Sequence, residues 1–270
     1  MSQSDKIFAG SIPKIYDKYL VPLIFEGFAE DLARRVASLS PAVVLETAAG
    51  SGVVTRALAA KVGASARYVV TDLNQPMLDH AAQRQGEDHR LHWQQADALA
   101  LPFQDAMFDV VCCQFGVMFF PDRVKGYREA KRVLKPDKTF VFNVWDCIEE
   151  NEFANEVTVA LAEMFPDDPP HFLARTPHGY HDERLIRSEL ALAGFSQITI
   201  EKRSEQSRAP SPSHPAIAYC QGTPLKNEIV ARGAELLQLA TERVSQAIAK
   251  LHGSGEVAGK IQGLVVMATK

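Results

Sequence analysis

The feature that most constrains this chain is a rhythm between residues 43 and 145. Five short runs rich in β-branched or aromatic residues alternate with stretches of helical period: residues 43–46 (VVLE), 66–71 (ARYVVT), 90–94 (RLHWQ), 108–114 (FDVVCCQ) and 139–145 (TFVFNVW). Apolar runs of this length suit strands covered on both faces. Strand, helix, strand in repetition means βαβ units, and their right-handed crossovers build a doubly wound, mostly parallel sheet. The intervening helices carry their own punctuation. One runs over residues 52–62 and stops at Gly63, the next opens at Asn74 with Pro76 in its first turn, and the third starts at Asp122 and is ended by Lys135, Pro136 and Asp137.

The flanks are different in kind. Residues 16–39 read as one or two helices around Pro22, 151–165 as a helix, 166–180 (PDDPPHFLARTPHGY) as a proline-rich loop and 181–193 as a helix. Residues 195–203 alternate like a strand, 204–224 are polar and rich in Ser and Pro, 225–251 are helical, and 263–269 (GLVVMAT) form a seventh, antiparallel strand. The expectation is an α/β fold in one domain over 1–270. It has a helical cap (1–40), a ligand-binding core (41–146) and two helical insertions on the substrate side (151–181 and 204–262) that form a lid.

Twenty-nine Lys and Arg against 33 Asp and Glu leave a net charge of −4 without a basic block, so neither nucleic acid nor an anionic membrane is an expected partner. Four cysteines, with Cys112 and Cys113 adjacent and no Cys-x-x-Cys pair, suggest buried thiols in a reducing compartment and no metal. The opening MSQSDKIFAGSIPK has no signal-like apolar stretch, and the longest apolar run, 108–120, is too short to cross a bilayer. A cytoplasmic location is expected; oligomeric state has no signature here.

The densest signal is VVLETAAGSGVVTRAL, a strand running through a glycine turn into a helix. Gly50 and Gly52 allow a tight turn and a close approach of backbone to ligand, with the helix N–H groups facing it. Asp72, 20 residues beyond Gly52 at the end of the second strand, is placed to accept ribose hydroxyls. A dinucleotide loop asks for Gly or Ala where this chain has Thr55, which disfavours a nicotinamide cofactor.

Glu46, Ala48, Gly50 and Gly52 instead resemble the E/D-x-G-x-G-x-G loop of class I S-adenosylmethionine-dependent methyltransferases, with Ala48 replacing one glycine. Three further stretches look like motifs of that family in the right order: VVTDLNQPMLDHA, QADALALPFQDAMFDVVCCQFGVMFFPD and REAKRVLKPDKTFVFNVWD, the last with Lys-Pro-Asp-Lys where many members have R/K-P-G-G. The resemblance covers about residues 40–146. It suggests the small-molecule branch related to ubiquinone and menaquinone biosynthesis, and implies a Rossmann-like fold with S-adenosylmethionine as cofactor. Position by position, it implies that Glu46, Ala48, Gly50 and Gly52 face the methionine part, Asp72 the ribose and Leu73 the adenine. Met77 packs on adenine or in the core. Asp97 accepts the adenine amino group or caps its own turn, with Ala98 beside it. Gln114 and Phe115 lie under the methyl-bearing sulfur.

Methyl transfer chiefly needs an acceptor aligned in a dry pocket, and a base only where the acceptor must lose a proton. His178 is the first candidate base, with Tyr180 and His181 behind it, because His181 with Asp182 could cap the next helix and Tyr180 could be packing. His178 and His181 lack further ligands for zinc. Tyr16 and Tyr19 could close the cofactor site or belong to a helix core. The expected activity is methyl transfer to a small, largely apolar acceptor. A protein that binds S-adenosylmethionine without methylating, as a sensor or for another reaction, is the alternative, and an NAD-dependent dehydrogenase a weaker one.

Overall fold

The computed structural model describes residues 12–270; the part of the expected cap that falls on residues 1–11 lies outside it. In chain order the elements are α1 (Ile12–Ile15), a π-helical segment (Tyr16–Phe25), α2 (Glu26–Ser38), β1 (Val43–Glu46), α3 (Val53–Ala59), β2 (Arg67–Asp72), α4 (Gln75–Gln85), β3 (Leu91–Gln95), β4 (Phe108–Gln114), α5 (Arg123–Val133) and β5 (Leu134–Trp145). There follow α6 (Glu152–Met164), α7 (Phe172–Arg175), α8 (Glu183–Leu192), β6 (Gln197–Ala209), α9 (Ser213–Gly222), α10 (Leu225–Arg232), α11 (Leu236–His252) and β7 (Val257–Thr269). The seven strands form one sheet in the order β3-β2-β1-β4-β5-β7-β6, parallel through β5. Against β5 the last strand is antiparallel, as Asp146 N donates to Gln262 O at 3.0 Å and Lys270 N to Lys138 O at 2.9 Å. The doubly wound fold expected from the sequence is the one found.

The chain divides into two compact units. The larger comprises residues 26–144, 181–203 and 264–270. Its core is built from the apolar runs that marked the strands: Val44, Tyr68, Val70, Val110, Cys112 and Val141 pack with Leu32 and Val36 of α2, Val54 and Leu58 of α3 and Leu78 of α4. Each such side chain contributes about 1.5–3 kcal/mol by leaving water. At the amino end of the sheet, Asp109 ties strands together: its Oδ2 accepts from Ala42 N (3.0 Å) and Val43 N (2.9 Å), and its Oδ1 pairs with Lys135 Nζ (2.9 Å). The carboxyl ends of β1 and β4 meet where the strand order reverses, the place where open α/β sheets bind ligands.

The other unit comprises residues 1–25, 145–180 and 204–263, of which 12 onward are described. It is helical: α11 packs on α9 and α6, and α9 on α1, α10 and the π-helical segment. Glu228 of α10 accepts from His171 N (2.8 Å) and Phe172 N (3.1 Å), capping the short α7.

Several element boundaries differ from the sequence reading. The helix from Asp122 stops at Val133, before the expected Lys-Pro-Asp stop, and β5 takes over at Leu134. Phe108 pairs with Leu134 but Val110 with Thr139, so Pro136 sits in a bulge where its missing N–H breaks no ladder bond. Where one or two helices are expected around Pro22, that residue lies inside wide π-helical turns that run directly into α2. The polar, Ser- and Pro-rich stretch 204–224 is mostly regular structure: β6 continues to Ala209 and α9 begins at Ser213 with Pro215 in its first turn. The long helix expected over 225–251 is two, α10 and α11, and the proline-rich stretch 166–180 contains α7.

Candidate cofactor-binding site

The loop after β1 is built on alternation. Ala48 (φ +53°), Gly50 (φ +57°) and Gly52 (φ +76°) all adopt left-handed backbone, a region that costs an L-residue about 1–2 kcal/mol and glycine nothing. Ala48 carries that strain. Hydrogen bonds hold the loop to the neighbouring strand ends: Thr47 N to Cys112 O (2.9 Å), Ala49 N to Thr71 O (3.0 Å) and Gly50 N to Asp72 Oδ2 (2.8 Å). Gly52 is required for packing as well, since a Cβ there would lie 2.9 Å from Ala81 Cβ of α4. Ser51 is 2% exposed and its hydroxyl has no hydrogen-bond partner.

Two buried carboxyls flank this loop. Asp72 accepts from Gly50 N through Oδ2 and from Asn74 N (2.7 Å) through Oδ1, and burial pushes its carboxyl up. Glu46 accepts from Thr55 Oγ1 (2.7 Å) and from the Tyr68 hydroxyl, both on Oε2. Burial pushes Glu46 up to about 7 from an ordinary 4.5, with the charge of Asp72 acting in the same direction. Thr55, whose place in the motif argued against a dinucleotide, is thus a partner of Glu46.

The β4 end is organised by a residue that sequence reasoning missed. Asn143, fully buried in β5, accepts from Phe115 N through its backbone O (3.1 Å) and its Oδ1 (2.9 Å), and its Nδ2 meets Gln114 Oε1 at 3.4 Å. Phe115 is thereby held at φ +49°, its ring edge-on to Phe28 at 5.2 Å. Gly116 follows, so close that a Cβ would lie 2.6 Å from Ala48 Cβ and 2.7 Å from Cys113 Sγ. A lone Asn inside the apolar run TFVFNVW was the available signal.

The structure therefore brings Glu46, Ala48, Gly50, Gly52, Asp72, Gln114 and Phe115 to neighbouring strand ends. Met77 is buried in α4, its Cε 3.9 Å from where a Cβ on Gly50 would be. Leu73 is 46% exposed beside Asp72. Asp97 and Ala98 form a tight turn after β3, in which Asp97 Oδ1 accepts from Leu99 N at 2.9 Å, the turn-capping role weighed for it.

The remaining candidates divide between the units. Tyr16, Tyr19, His178 and Tyr180 belong to the helical unit and His181 to the larger one. Tyr16 stacks on Phe25 (5.3 Å), Phe25 meets Trp145 (5.9 Å) and Trp145 meets His178 (6.0 Å), an aromatic line joining Tyr16 to the histidine. Tyr19 lies against His214 instead, at 4.9 Å. His178 is 4% exposed and its Nδ1 is 2.9 Å from Asp146 O. A carbonyl only accepts, so Nδ1 carries the proton and the lone pair of the neutral ring is on Nε2. Asp146 is fixed in turn by Gln262 Nε2 (2.7 Å) and Cys147 N (2.8 Å). Tyr180 is buried, and His181 is exposed one residue before Asp182, whose Oδ1 caps α8 by accepting from Arg184 N (2.8 Å) and Leu185 N (3.4 Å). Among the described residues no group of three or more His, Cys, Asp or Glu could hold a metal ion, and no helix is long and apolar enough to cross a membrane.

A strand-end loop with left-handed turns, an acidic residue closing β2 and a further acid at the end of β1 stand at the edge where open α/β sheets hold their ligands. The family model described as "Methyltransferase domain" matches residues 45–142. Demethylmenaquinone methyltransferase of Lactobacillus johnsonii is 40% identical over 174 residues, covering 58% of this chain and 69% of that one. Ubiquinone/menaquinone biosynthesis C-methyltransferase UbiE of Idiomarina loihiensis is 27% identical over 175 residues, covering 57% and 66%. Among solved structures, the YcgJ protein from Bacillus subtilis superposes with a TM-score of 0.56 at 19% identity, covering 90% of this chain and 98% of that one, a likeness of fold. The chain belongs to the class I S-adenosylmethionine-dependent methyltransferases related to the quinone-biosynthesis enzymes. It is an enzyme that uses S-adenosylmethionine to methylate a small molecule, and the dehydrogenase alternative is set aside.

The residues present suit that cofactor. The buried, unpartnered Ser51 hydroxyl lies in the loop that would hold the methionine part, and Asp72, already anchored by backbone N–H groups, retains acceptor capacity for ribose hydroxyls because a carboxylate offers about four lone-pair positions. When bound, the cofactor supplies a methyl group activated by a positive sulfur.

Proposed function

We propose that this methyltransferase acts on a ring carbon of a small, largely apolar acceptor of the quinone-precursor kind, with His178 as general base. The observation that carries the reading is the 40% identity to a demethylmenaquinone methyltransferase. A phenolic ring becomes a carbon nucleophile when its hydroxyl loses a proton, which calls for a base that is neutral and correctly oriented near pH 7. Support for His178 comes from its burial and from the Asp146 carbonyl, which leaves Nε2 as the basic nitrogen. The reading assigns cofactor recognition to residues 41–146 and acceptor recognition to 151–181 and 204–262, with 166–181 as a lid. Tyr180 and His181 rank behind His178 as bases, and Tyr16 and Tyr19 are assigned to closing the site.

The test is release of S-adenosylhomocysteine against a panel of demethylated naphthoquinols, other phenols, amines and carboxylic acids. Turnover confined to the quinols and phenols is expected, and turnover confined to amines or acids would overturn the acceptor class. His178→Ala should lower turnover by about 10²- to 10⁴-fold with nearly unchanged cofactor affinity. A variant with full turnover would remove the histidine from the mechanism.

A further inference from the structure

The turn that carries Asp97 and Ala98 is held at both ends by the larger unit. On one side Ala96 N donates to Asp72 O at 3.0 Å, and within the turn Ala100 N donates to Asp97 O at 2.9 Å. On the other side the tethers come from α5. Glu129 Oε2 accepts from Leu101 N at 2.8 Å. Arg132 donates to three groups of the same stretch: Nη2 to Leu101 O (2.9 Å), and Nη1 to Phe103 O (2.7 Å) and to Asp105 Oδ1 (2.8 Å). The two α5 side chains are themselves joined in a two-pronged pair, Arg132 Nε to Glu129 Oε1 and Nη2 to Oε2, each at 2.8 Å. The planar fork of a guanidinium suits this task, because one side chain fixes a carboxylate and two carbonyls in set directions. The Glu129 carboxyl is held below its ordinary range by that pairing.

We propose that Glu129 and Arg132 are positioning residues for adenine recognition, clamping residues 101–105 so that the exposed turn before them keeps Asp97 in place. The proposal rests on the reading that Asp97 accepts the adenine amino group. Without the guanidinium the tethers on Leu101 O, Phe103 O and Asp105 are lost and the Glu129 carboxylate that accepts from Leu101 N loses its two-pronged partner, so the next anchor independent of that pair is Ala106 N on Arg132 O, at 3.0 Å. A turn whose following residues are loosely held gains freedom, and a carboxylate on it pays conformational entropy each time it binds.

The experiment is calorimetric binding of S-adenosylhomocysteine and of S-inosylhomocysteine, whose base has an oxo group in place of the amino group. The wild type should prefer the adenine ligand. Arg132→Ala should weaken S-adenosylhomocysteine about tenfold and bring the preference close to one, and Arg132→Lys should recover part of it through a single carbonyl. Arg123→Ala, which breaks the Arg123–Glu189 pair (2.8 Å) between α5 and α8, should keep the full preference and so separates the clamp from a general loosening of α5. An Arg132→Ala variant that retains the preference while Asp97→Ala loses it would overturn the clamp. Retention by Asp97→Ala as well would overturn the reading of Asp97 beneath it.

Discussion

Glu46 closes β1 at the base of the glycine loop, and its proton should be visible in the stability of the whole protein. The carboxyl is 2% exposed and meets two hydroxyl donors, but those donors do not offset the loss of water around a charge, and its folded value rises from 4.5 to about 7. Folding therefore favours the proton-bound form. For a group raised in this way, the stabilising contribution is complete below pH 4.5 and is lost as pH rises through about 7. At 1.36 kcal/mol per pH unit, the loss approaches about 3 kcal/mol by pH 8. Glu46→Gln keeps an amide oxygen that can accept from Thr55 and Tyr68 and is neutral at every pH. Urea unfolding at half-unit steps between pH 4.5 and 8 should find the variant close to the wild type at the acid end. It should then gain steadily, by up to about 3 kcal/mol at pH 8, at an unchanged denaturant slope. Asp72, raised by burial in the same direction, leaves a residual pH slope in both proteins. Parallel pH profiles for the two proteins would refute the assignment of the proton to Glu46.

Cofactor binding should reach the same proton: at pH 6, S-adenosylhomocysteine should displace close to one proton per site as its ammonium meets Glu46, read from calorimetry in buffers of different ionisation heat. No release would mean that Glu46 serves Thr55 and Tyr68 alone. Asp72→Ala, which removes a charged acceptor and the tether on Gly50 N, should weaken S-adenosylhomocysteine by about 1.5–3 kcal/mol, tenfold or more, and equal affinity would show that the ribose reading is wrong. Gly116→Ala should cost about 1–3 kcal/mol of stability, because the new methyl meets Ala48 Cβ and Cys113 Sγ at under 3 Å, and should also weaken the cofactor through Ala48. An unshifted unfolding midpoint would contradict that packing.

The parts of the fold that were legible are those whose local pattern has one solution. VVLE and FDVVCCQ are short, β-branched and set in a strand-helix rhythm that suits strands covered on both faces, and the burial of β1 and β4 is nearly complete. The strand β6 misled for the opposite reason. It ends the sheet order, its exposed positions carry polar side chains such as Gln206 and Arg208, and a half-solvated edge reads like loop once its apolar alternation fades. Ser213 and Pro215 gave no sign of α9, because serine and proline punctuate loops and also open helices. Ala48 gave no warning of a left-handed backbone, since alanine has no propensity for it and only the family motif marked the position.

The two halves of the function differ in legibility on the same physical ground. The proposed cofactor site draws on turns that need glycine and on acids at strand ends, so its candidate residues cluster within a few positions of Glu46, Asp72 and Asp97 and leave a spaced motif. The surroundings of His178 are assembled from segments far apart in sequence: Tyr16 and Phe25, Trp145 and Asp146, and Gln262, linked by ring contacts of 5.3–6.0 Å and by the 2.9 Å contact to a main-chain oxygen. Side-chain identity could suggest a histidine in that loop, because few residue types titrate near neutral pH. It could not indicate which ring nitrogen holds the proton. That is decided by the carbonyl of Asp146, a group every residue possesses, and so by the fold and not by any letter of the sequence.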